Sequence, residues 1–145
     1  MILPDWRIRQ LSLTLNMIYP VHNRRFAPVG YDLTVSTVED VNPEDFIDVE
    51  LLHGESILVH CVEDVMMPSD VVAFVVARNS AIRDGLQIVS PVYQPGHKTN
   101  VKFRVVNTGP RGVVINKATP LAMMMFDMLV DRPNSLYEGR FQNEK

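Results

Sequence analysis

The sequence predicts a mainly β domain, a barrel or a sandwich, that begins with one short helix. Three observations support this prediction. Short apolar, β-branched runs recur about every ten residues, turn residues separate them, and one segment near the start has helical spacing. A chain of 145 residues, 46% of them hydrophobic, is long enough to bury its own core. We therefore expect a single domain over residues 1–145, with 131–145 as a C-terminal tail.

The predicted helix runs from Trp6 to Leu15. It ends by Tyr19, which precedes a proline and is therefore pushed out of the helical region. The predicted strands follow in this order: Asp32–Val38, Ser56–Val62, Val71–Ala77, Val101–Val106, Val113–Ile115 and Leu121–Val130. A single helical turn is predicted after Val71–Ala77, capped by Asn79 or Ser80 and closed by Gly85.

Composition excludes several classes of protein and site. The single Cys61 cannot form an intramolecular disulfide framework or a Cys-rich zinc site, so we expect no zinc. A net charge of −3 argues against binding to duplex nucleic acid, although a few local arginines can still form a phosphate pocket. No apolar run approaches the roughly 18 residues of a membrane span, and the first residues do not resemble a signal peptide. We expect a cytoplasmic protein of a bacterial or virus-infected cell.

Two clusters have side chains suited to ligand binding. Arg78, Ser80 and Arg83 combine two guanidinium groups with a hydroxyl group, a set that can surround a phosphate. The same residues also suit a strand end with solvated arginines. Near the C-terminus, Tyr137 and Arg140 combine an aromatic ring and a cation that can cover a ring-shaped ligand. A polar, frayed tail is the alternative there.

The methionine run has a packing interpretation. If Met123, Met124 and Met125 lie in a strand, alternation sends the first and third to one face and the second to the other. Methionine fills irregular gaps and suits contacts between subunits. We therefore assign the run to packing.

Taken in order, six fragments of the chain resemble the dCTP deaminase/dUTPase family. The opening Ile2–Ile8 is similar to the first helix of the deaminase branch, and the Val65–Leu86 stretch is similar to the triphosphate-binding segment. The other matching fragments are Pro28–Leu33, Tyr93–Gly109, Pro120–Phe126 and Tyr137–Gln142. The resemblance covers nearly the whole chain, and it implies a distorted β-barrel or jelly roll. It also implies a homotrimer with sites shared between subunits.

The resemblance also implies a ligand and roles for particular residues. The ligand is a pyrimidine deoxynucleoside triphosphate, accompanied by Mg²⁺ if the chain is active. The implied phosphate ligands are Arg78, Ser80 and Arg83, the residue near magnesium is Asp32, and the residues closing over the nucleotide are Tyr137, Arg140 and Gln142.

Four positions depart from the family pattern, and at two of them, Ala77 and Thr99, another residue replaces a motif glycine. The other two are catalytic positions. The deaminase branch has a glutamate that transfers protons at the cytosine ring, and Arg104 stands at that position here, counted back from Asn107. The dUTPase branch has an aspartate near the Pro-Gly turn that orients water, and Gln94 stands there. A guanidinium group stays charged at neutral pH and cannot act as the base.

These departures leave two main functions open, besides relocated chemistry on a modified base. The first is a pyrimidine deoxynucleotide-binding protein of this family, with dCTP deamination or dUTP hydrolysis as its activity. The alternative is a non-catalytic homotrimer that acts as a nucleotide sensor or sponge, or as a structural or interaction protein, for example of a phage.

Overall fold

The computed structural model describes all residues from 1 to 145, and antiparallel strands form most of its regular structure. The helices are α1 (Asp5–Leu15) and α2 (Asn79–Arg83), with a 3₁₀ turn at Asn23–Arg25. The strands are β1 (Ile18–Tyr19), β2 (Phe26–Ala27), β3 (Gly30–Asp32), β4 (Val35–Val38), β5 (Asp48–Leu51), β6 (Ser56–Met66), β7 (Val71–Ala77), β8 (Leu86–Val89), β9 (Lys98–Asn107), β10 (Val113–Asn116) and β11 (Ala122–Met128). No helix is both long enough and apolar enough to cross a membrane.

The largest sheet is built around the two longest strands, β6 and β9. They pair antiparallel, with β1 and β4 on β6 and β8 on β9. Between His60 and Asp64 the register shifts, because β6 bulges away from β9. The side-chain amide of Asn100 donates to the main-chain oxygens of Cys61 (2.9 Å) and Glu63 (3.1 Å) and so closes this bulge.

A second sheet has the order β2–β3–β11–β7, and β5 with β10 forms a small third sheet. The methionine run lies in β11, opposite β7. Met124 is fully buried, whereas Met123 and Met125 on the opposite face are partly exposed. The predicted alternation is therefore confirmed, and it leaves an apolar outer face on this sheet.

The core lies between the sheets and under α1. It contains 28 buried apolar residues, among them Tyr31, Phe103 and Phe126, which are among the largest fully buried side chains. Along β9 the buried and partly exposed positions alternate without a break from Thr99 to Asn107. This alternation places Phe103 in the core and Arg104 on the outer face.

Most predicted elements are confirmed, with three corrections. The segment predicted as one strand over Asp32–Val38 is two strands, β3 and β4, because the chain passes from one sheet to the other between them. There the N–H of Leu33 donates to the Ala122 oxygen (3.0 Å) and that of Thr34 to the Glu63 carboxylate (2.8 Å). The predicted cap of the helical turn was wrong, since Arg78 occupies the N-cap position without a side-chain hydrogen bond. Strands β1, β2, β5 and β8 were not predicted.

Candidate functional site

The ends of β7 and β3 flank the same end of β11, because both strands pair with it. The Arg78 guanidinium lies 3.3 Å from the Asp32 carboxylate, and its main-chain N–H donates to the Leu121 oxygen (2.9 Å). Two residues that the sequence analysis singled out, about 45 residues apart in the chain, are therefore in contact.

Arg78 and Asp32 line a polar surface cavity of about 710 Å³, which we call the arginine basin. Its six lining residues are His22, Asn23, Arg24, Arg25, Asp32 and Arg78. None of them is apolar, and three guanidinium groups face a single carboxylate. The basin is therefore suited to an anion.

Ser80 and Arg83 lie on the short helix α2. The Ser80 side chain is exposed, and the Arg83 Nε–H donates to the Asn79 side-chain oxygen (3.1 Å). Arg83 lines a different depression of about 610 Å³, together with Arg111 and the Gly85 turn. Within one chain the three predicted phosphate ligands are thus neighbours in sequence but do not line one cavity.

The residues around Asp32 do not fit a magnesium ion held by protein ligands. Mg²⁺ is bound in proteins by carboxylate oxygens and water, usually with substrate phosphates. Asp32 is the only carboxylate in the basin, and Arg78 already pairs with it. No group of three or more His, Cys, Asp or Glu side chains suited to a metal ion comes together in the chain.

Arg104 lies on the outer face of the large sheet, opposite Leu58 of β6. Its guanidinium is 3.4 Å from the Glu39 carboxylate and 3.3 Å from the Ser56 hydroxyl. The pKa of Glu39 is lowered, first because the Leu58 N–H donates to its carboxylate and also because Arg104 is close. The lowered pKa makes Glu39 a weaker base than an ordinary glutamate, and Arg104 stays protonated at neutral pH.

The turn after β8 holds a stack of three rings. The His97 ring lies between Tyr93 (5.8 Å between centroids) and Tyr137 of the tail (3.9 Å). The buried Tyr93 hydroxyl donates to the Lys102 oxygen (2.9 Å), and burial raises the pKa of Tyr93. These residues and the exposed Gln94 line a cavity of about 430 Å³, which is large enough for a small aromatic ligand.

The C-terminal tail packs against its own chain along the start of β9. The Gln142 amide accepts from the Lys98 N–H (2.7 Å) and donates to the Gly96 oxygen (2.9 Å). The Glu144 carboxylate lies 2.7 Å from the Lys102 ammonium, and Arg140 is exposed, with its guanidinium over the Phe141 ring. A nucleotide-closing role for Tyr137, Arg140 and Gln142 stays a prediction, and it requires this packed tail to move or a second subunit to bind beside it.

The sequence of this chain matches the model of a known protein family. The family model described as dCTP deaminase-like matches residues 2–129. The chain belongs to this family. The dCTP deaminase-like resemblance stated from the motifs is thereby confirmed.

Individual relatives agree with this dCTP deaminase-like assignment. A dCTP deaminase of Pyrococcus horikoshii is 30% identical over 98% of this chain and 92% of that protein. The crystal structure of a 2'-deoxycytidine 5'-triphosphate deaminase from Agrobacterium tumefaciens superimposes with a TM-score of 0.68 at 17% identity, over 88% of this chain but only about half (48%) of that one. A mutant dUTPase of phage phi11 of S. aureus gives a TM-score of 0.60 at 13% identity, over 85% of this chain and 96% of that one. The structural matches support the predicted mainly β, dUTPase-like fold.

Four residues of this dCTP deaminase-like chain were not singled out from the sequence as site residues: Arg24, Arg25, His97 and Lys102. Arg24 and Arg25 form an adjacent pair, which is a visible signal of positive charge. Nothing in the sequence places that pair beside Arg78, because the contact depends on the path of β2 and β3. The tail supplies the partners of the other two residues, Tyr137 beside the His97 ring and Glu144 beside Lys102, and nothing in the sequence predicts these contacts.

Proposed function

We propose that this chain binds a pyrimidine deoxynucleoside triphosphate without deaminating or hydrolysing it. The observation that carries the proposal is Arg104, which forms an ion pair with Glu39 at the position where the resemblance expects a proton-transferring glutamate. Binding is supported by Arg78, Ser80 and Arg83, which match the family's phosphate-binding segment. The names of the relatives, dCTP deaminase and dUTPase, support the choice of nucleotide.

The chemistry of the two replaced positions favours binding over turnover. General acid–base catalysis contributes about 10²–10⁴ to a rate and needs a group that exchanges a proton near neutral pH. The Arg104 guanidinium keeps its proton, and Gln94 can hold a water molecule but cannot accept its proton. Glu39 is a poor substitute, because its lowered pKa makes the carboxylate a weaker base and its oxygen is already engaged by Arg104 and the Leu58 N–H.

The proposal includes assembly into a homotrimer. Arg78, Arg83 and the His97 ring stack line separate cavities within one chain, which supports a site completed by surfaces from more than one copy. The outer face of the second sheet is apolar and incompletely covered, with Phe74 and Val76 of β7 beside the partly exposed methionines of β11. A face of this kind is typical of subunit contacts.

The test measures binding and turnover on the same preparation. Calorimetry with dCTP and dUTP reports binding, and chromatography of the same mixtures reports dUTP, dUMP and pyrophosphate. We expect binding of at least one nucleotide, weakened by Arg78→Gln and unchanged by Arg7→Gln, whose guanidinium bonds to Gln10 on the surface of α1.

Two results would contradict the proposal. Steady product formation by the unmodified chain would show that catalysis has survived by another route. A stable oligomer that binds neither nucleotide would indicate a structural or interaction protein instead.

A further inference from the structure

The turn that carries Arg24 and Arg25 is held in place by contacts on its other side. The main-chain N–H of His22 donates to the hydroxyl of the buried Tyr31 (2.9 Å), and the Phe26 ring packs edge-on against Tyr31 (5.0 Å between centroids). The backbone of this turn is therefore fixed before any ligand arrives, which lowers the entropy lost on binding.

A residue of α1 reinforces this turn from outside. The Arg9 guanidinium donates to the Asn23 side-chain oxygen (2.7 Å) and lies 4.5 Å from the centre of the Phe26 ring. Arg9 is thus engaged in support of the turn. Arg24 is exposed, and neither it nor Arg25 belongs to an ion pair of the chain.

Positive charge in the arginine basin exceeds negative charge. Arg78 pairs with the Asp32 carboxylate, and the Arg25 guanidinium reaches only the main-chain oxygen of Asp32, at 3.5 Å. Two guanidinium charges of the basin therefore lack a carboxylate partner, in a chain whose net charge is −3. A local excess of this sign in an acidic protein attracts anions by Coulomb forces.

We infer that Arg24 and Arg25 neutralise the triphosphate of the nucleotide directly, so that binding does not require a divalent cation. The inference rests on the proposed function, since it names how that same site compensates the phosphate charge. Guanidinium groups donate paired hydrogen bonds to phosphate oxygens, which supplies both charge and geometry. A dication placed in the basin would instead lie near three guanidinium groups that repel it.

The inference is tested by calorimetry in two buffers, one with Mg²⁺ and one with EDTA. The ligands are deoxyuridine imidotriphosphate, which resists hydrolysis, and inorganic tripolyphosphate, which presents phosphates alone. We expect the dissociation constants in the two buffers to agree within about threefold, which is less than 1 kcal/mol because a tenfold change corresponds to about 1.4 kcal/mol.

Variants locate the effect in the basin. Arg24→Gln with Arg25→Gln should weaken binding of both ligands by about ten- to a hundredfold in EDTA, since charge-assisted hydrogen bonds are lost. Both side chains are at least partly exposed, so the double variant should fold. Arg7→Gln removes one positive charge from α1 outside the basin, and we expect it to bind as the unmodified chain does.

The outcomes separate the inference from the proposed function. Nucleotide binding that disappears in EDTA overturns the inference and leaves the proposed function standing. Tripolyphosphate binding in EDTA that depends on Arg24 and Arg25, without nucleotide binding, supports the basin and contradicts the proposed function. Failure of both ligands to bind in either buffer overturns the two together. Binding of both ligands that the double variant does not weaken overturns the inference and leaves the proposed function standing.

Discussion

Replacing Gln142 with leucine tests how the tail is held to the body of the protein. The Gln142 amide makes three hydrogen bonds: it accepts from the Lys98 N–H (2.7 Å) and donates to the main-chain oxygens of Gly96 (2.9 Å) and Tyr137 (3.2 Å). Leucine has a similar size but no polar atom. Gln142→Leu therefore removes all three bonds and leaves the Lys98 N–H and the Gly96 oxygen without their side-chain partner.

The expected loss of free energy that holds the tail in place follows from the number of these hydrogen bonds and from how deeply they are buried. A hydrogen bond within a protein contributes about 0.5–1.5 kcal/mol net, and these are only partly buried, so we expect about 2 kcal/mol for the three. That value corresponds to about a 30-fold increase in the population with a released tail. The tail keeps its other contacts, among them the Asn143 N–H to the Lys98 oxygen (2.7 Å) and the Glu144–Lys102 ion pair.

Two measurements read this release directly. The Asn100 N–H donates to the Glu144 main-chain oxygen of the tail (2.9 Å), a bond that the substitution leaves in place. Hydrogen exchange at this amide should quicken by about the same 30-fold factor, because exchange follows local opening. Trypsin should also cleave faster after Arg140, which lies in the tail. Glu138→Gln is the matched control, since that exposed side chain forms no ion pair in the chain. Equal exchange and cleavage in Gln142→Leu and the control would refute the packing of the tail described above.

Three further predictions concern the core, a buried acid and the surface ion pair. Met124→Ala should lower the free energy of unfolding by about 2–5 kcal/mol in urea titrations, because Met124 is fully buried, whereas Met125→Ala on the partly exposed face should cost less. Burial raises the pKa of Glu63, so the folded chain holds this proton more tightly, and stability should fall as the pH rises from 4.5 through the folded pKa. Urea titrations from pH 4 to pH 8 should show a smaller fall for Glu63→Gln. Arg104→Gln should lower the free energy of unfolding by less than about 1 kcal/mol, because the side chains of Arg104 and Glu39 are 41% and 38% exposed. If this loss of stability is as large in 1 M NaCl as at low salt, the result contradicts a screened ion pair.

The parts of the fold that the sequence predicted well are those with a long periodic pattern. Strand β9 alternates over ten residues, and α1 presents apolar side chains at helical spacing, so each pattern identifies its own element. Strands β1 and β2 have only two residues each, too few for any periodicity. They exist because a neighbouring strand offers an unpaired edge, and that information lies elsewhere in the chain.

The helical turn at α2 shows how a tertiary contact overrides a local signal. Asparagine is a favoured N-cap residue, yet the Asn79 side chain accepts from Arg83 instead of capping the helix. The N-cap position falls on Arg78, whose extended backbone donates to the Leu121 oxygen of the neighbouring strand connection. The sequence predicts the turn because its length and its closing Gly85 are local features. It does not predict the cap, because Leu121 is distant in sequence.

The same contrast between local and long-range information applies to the candidate site. The Arg78–Arg83 cluster is contiguous, so residue type and spacing were enough to single it out. The arginine basin joins residues 22–25, Asp32 and Arg78, and only the β2–β3–β11–β7 order brings these segments together. The sequence therefore predicts phosphate ligands at Arg78 and Arg83 but does not indicate Arg24 and Arg25, which the fold places beside Arg78.

Under the proposed function and the further inference, the site favours binding of the nucleotide over its conversion. The proposed function takes Arg104 as the replacement of a proton-transferring glutamate, a group that acts only in the transition state, and the further inference gives Arg24 and Arg25 contacts that are available to the bound ground state. Interactions of the second kind tighten binding without accelerating chemistry. The occupancy of such a site rises with the nucleotide concentration while little nucleotide is converted, which suits a sensor better than an enzyme. The ratio of binding to turnover, measured on one preparation, is therefore the quantity that decides whether this chain acts as a sensor or as an enzyme.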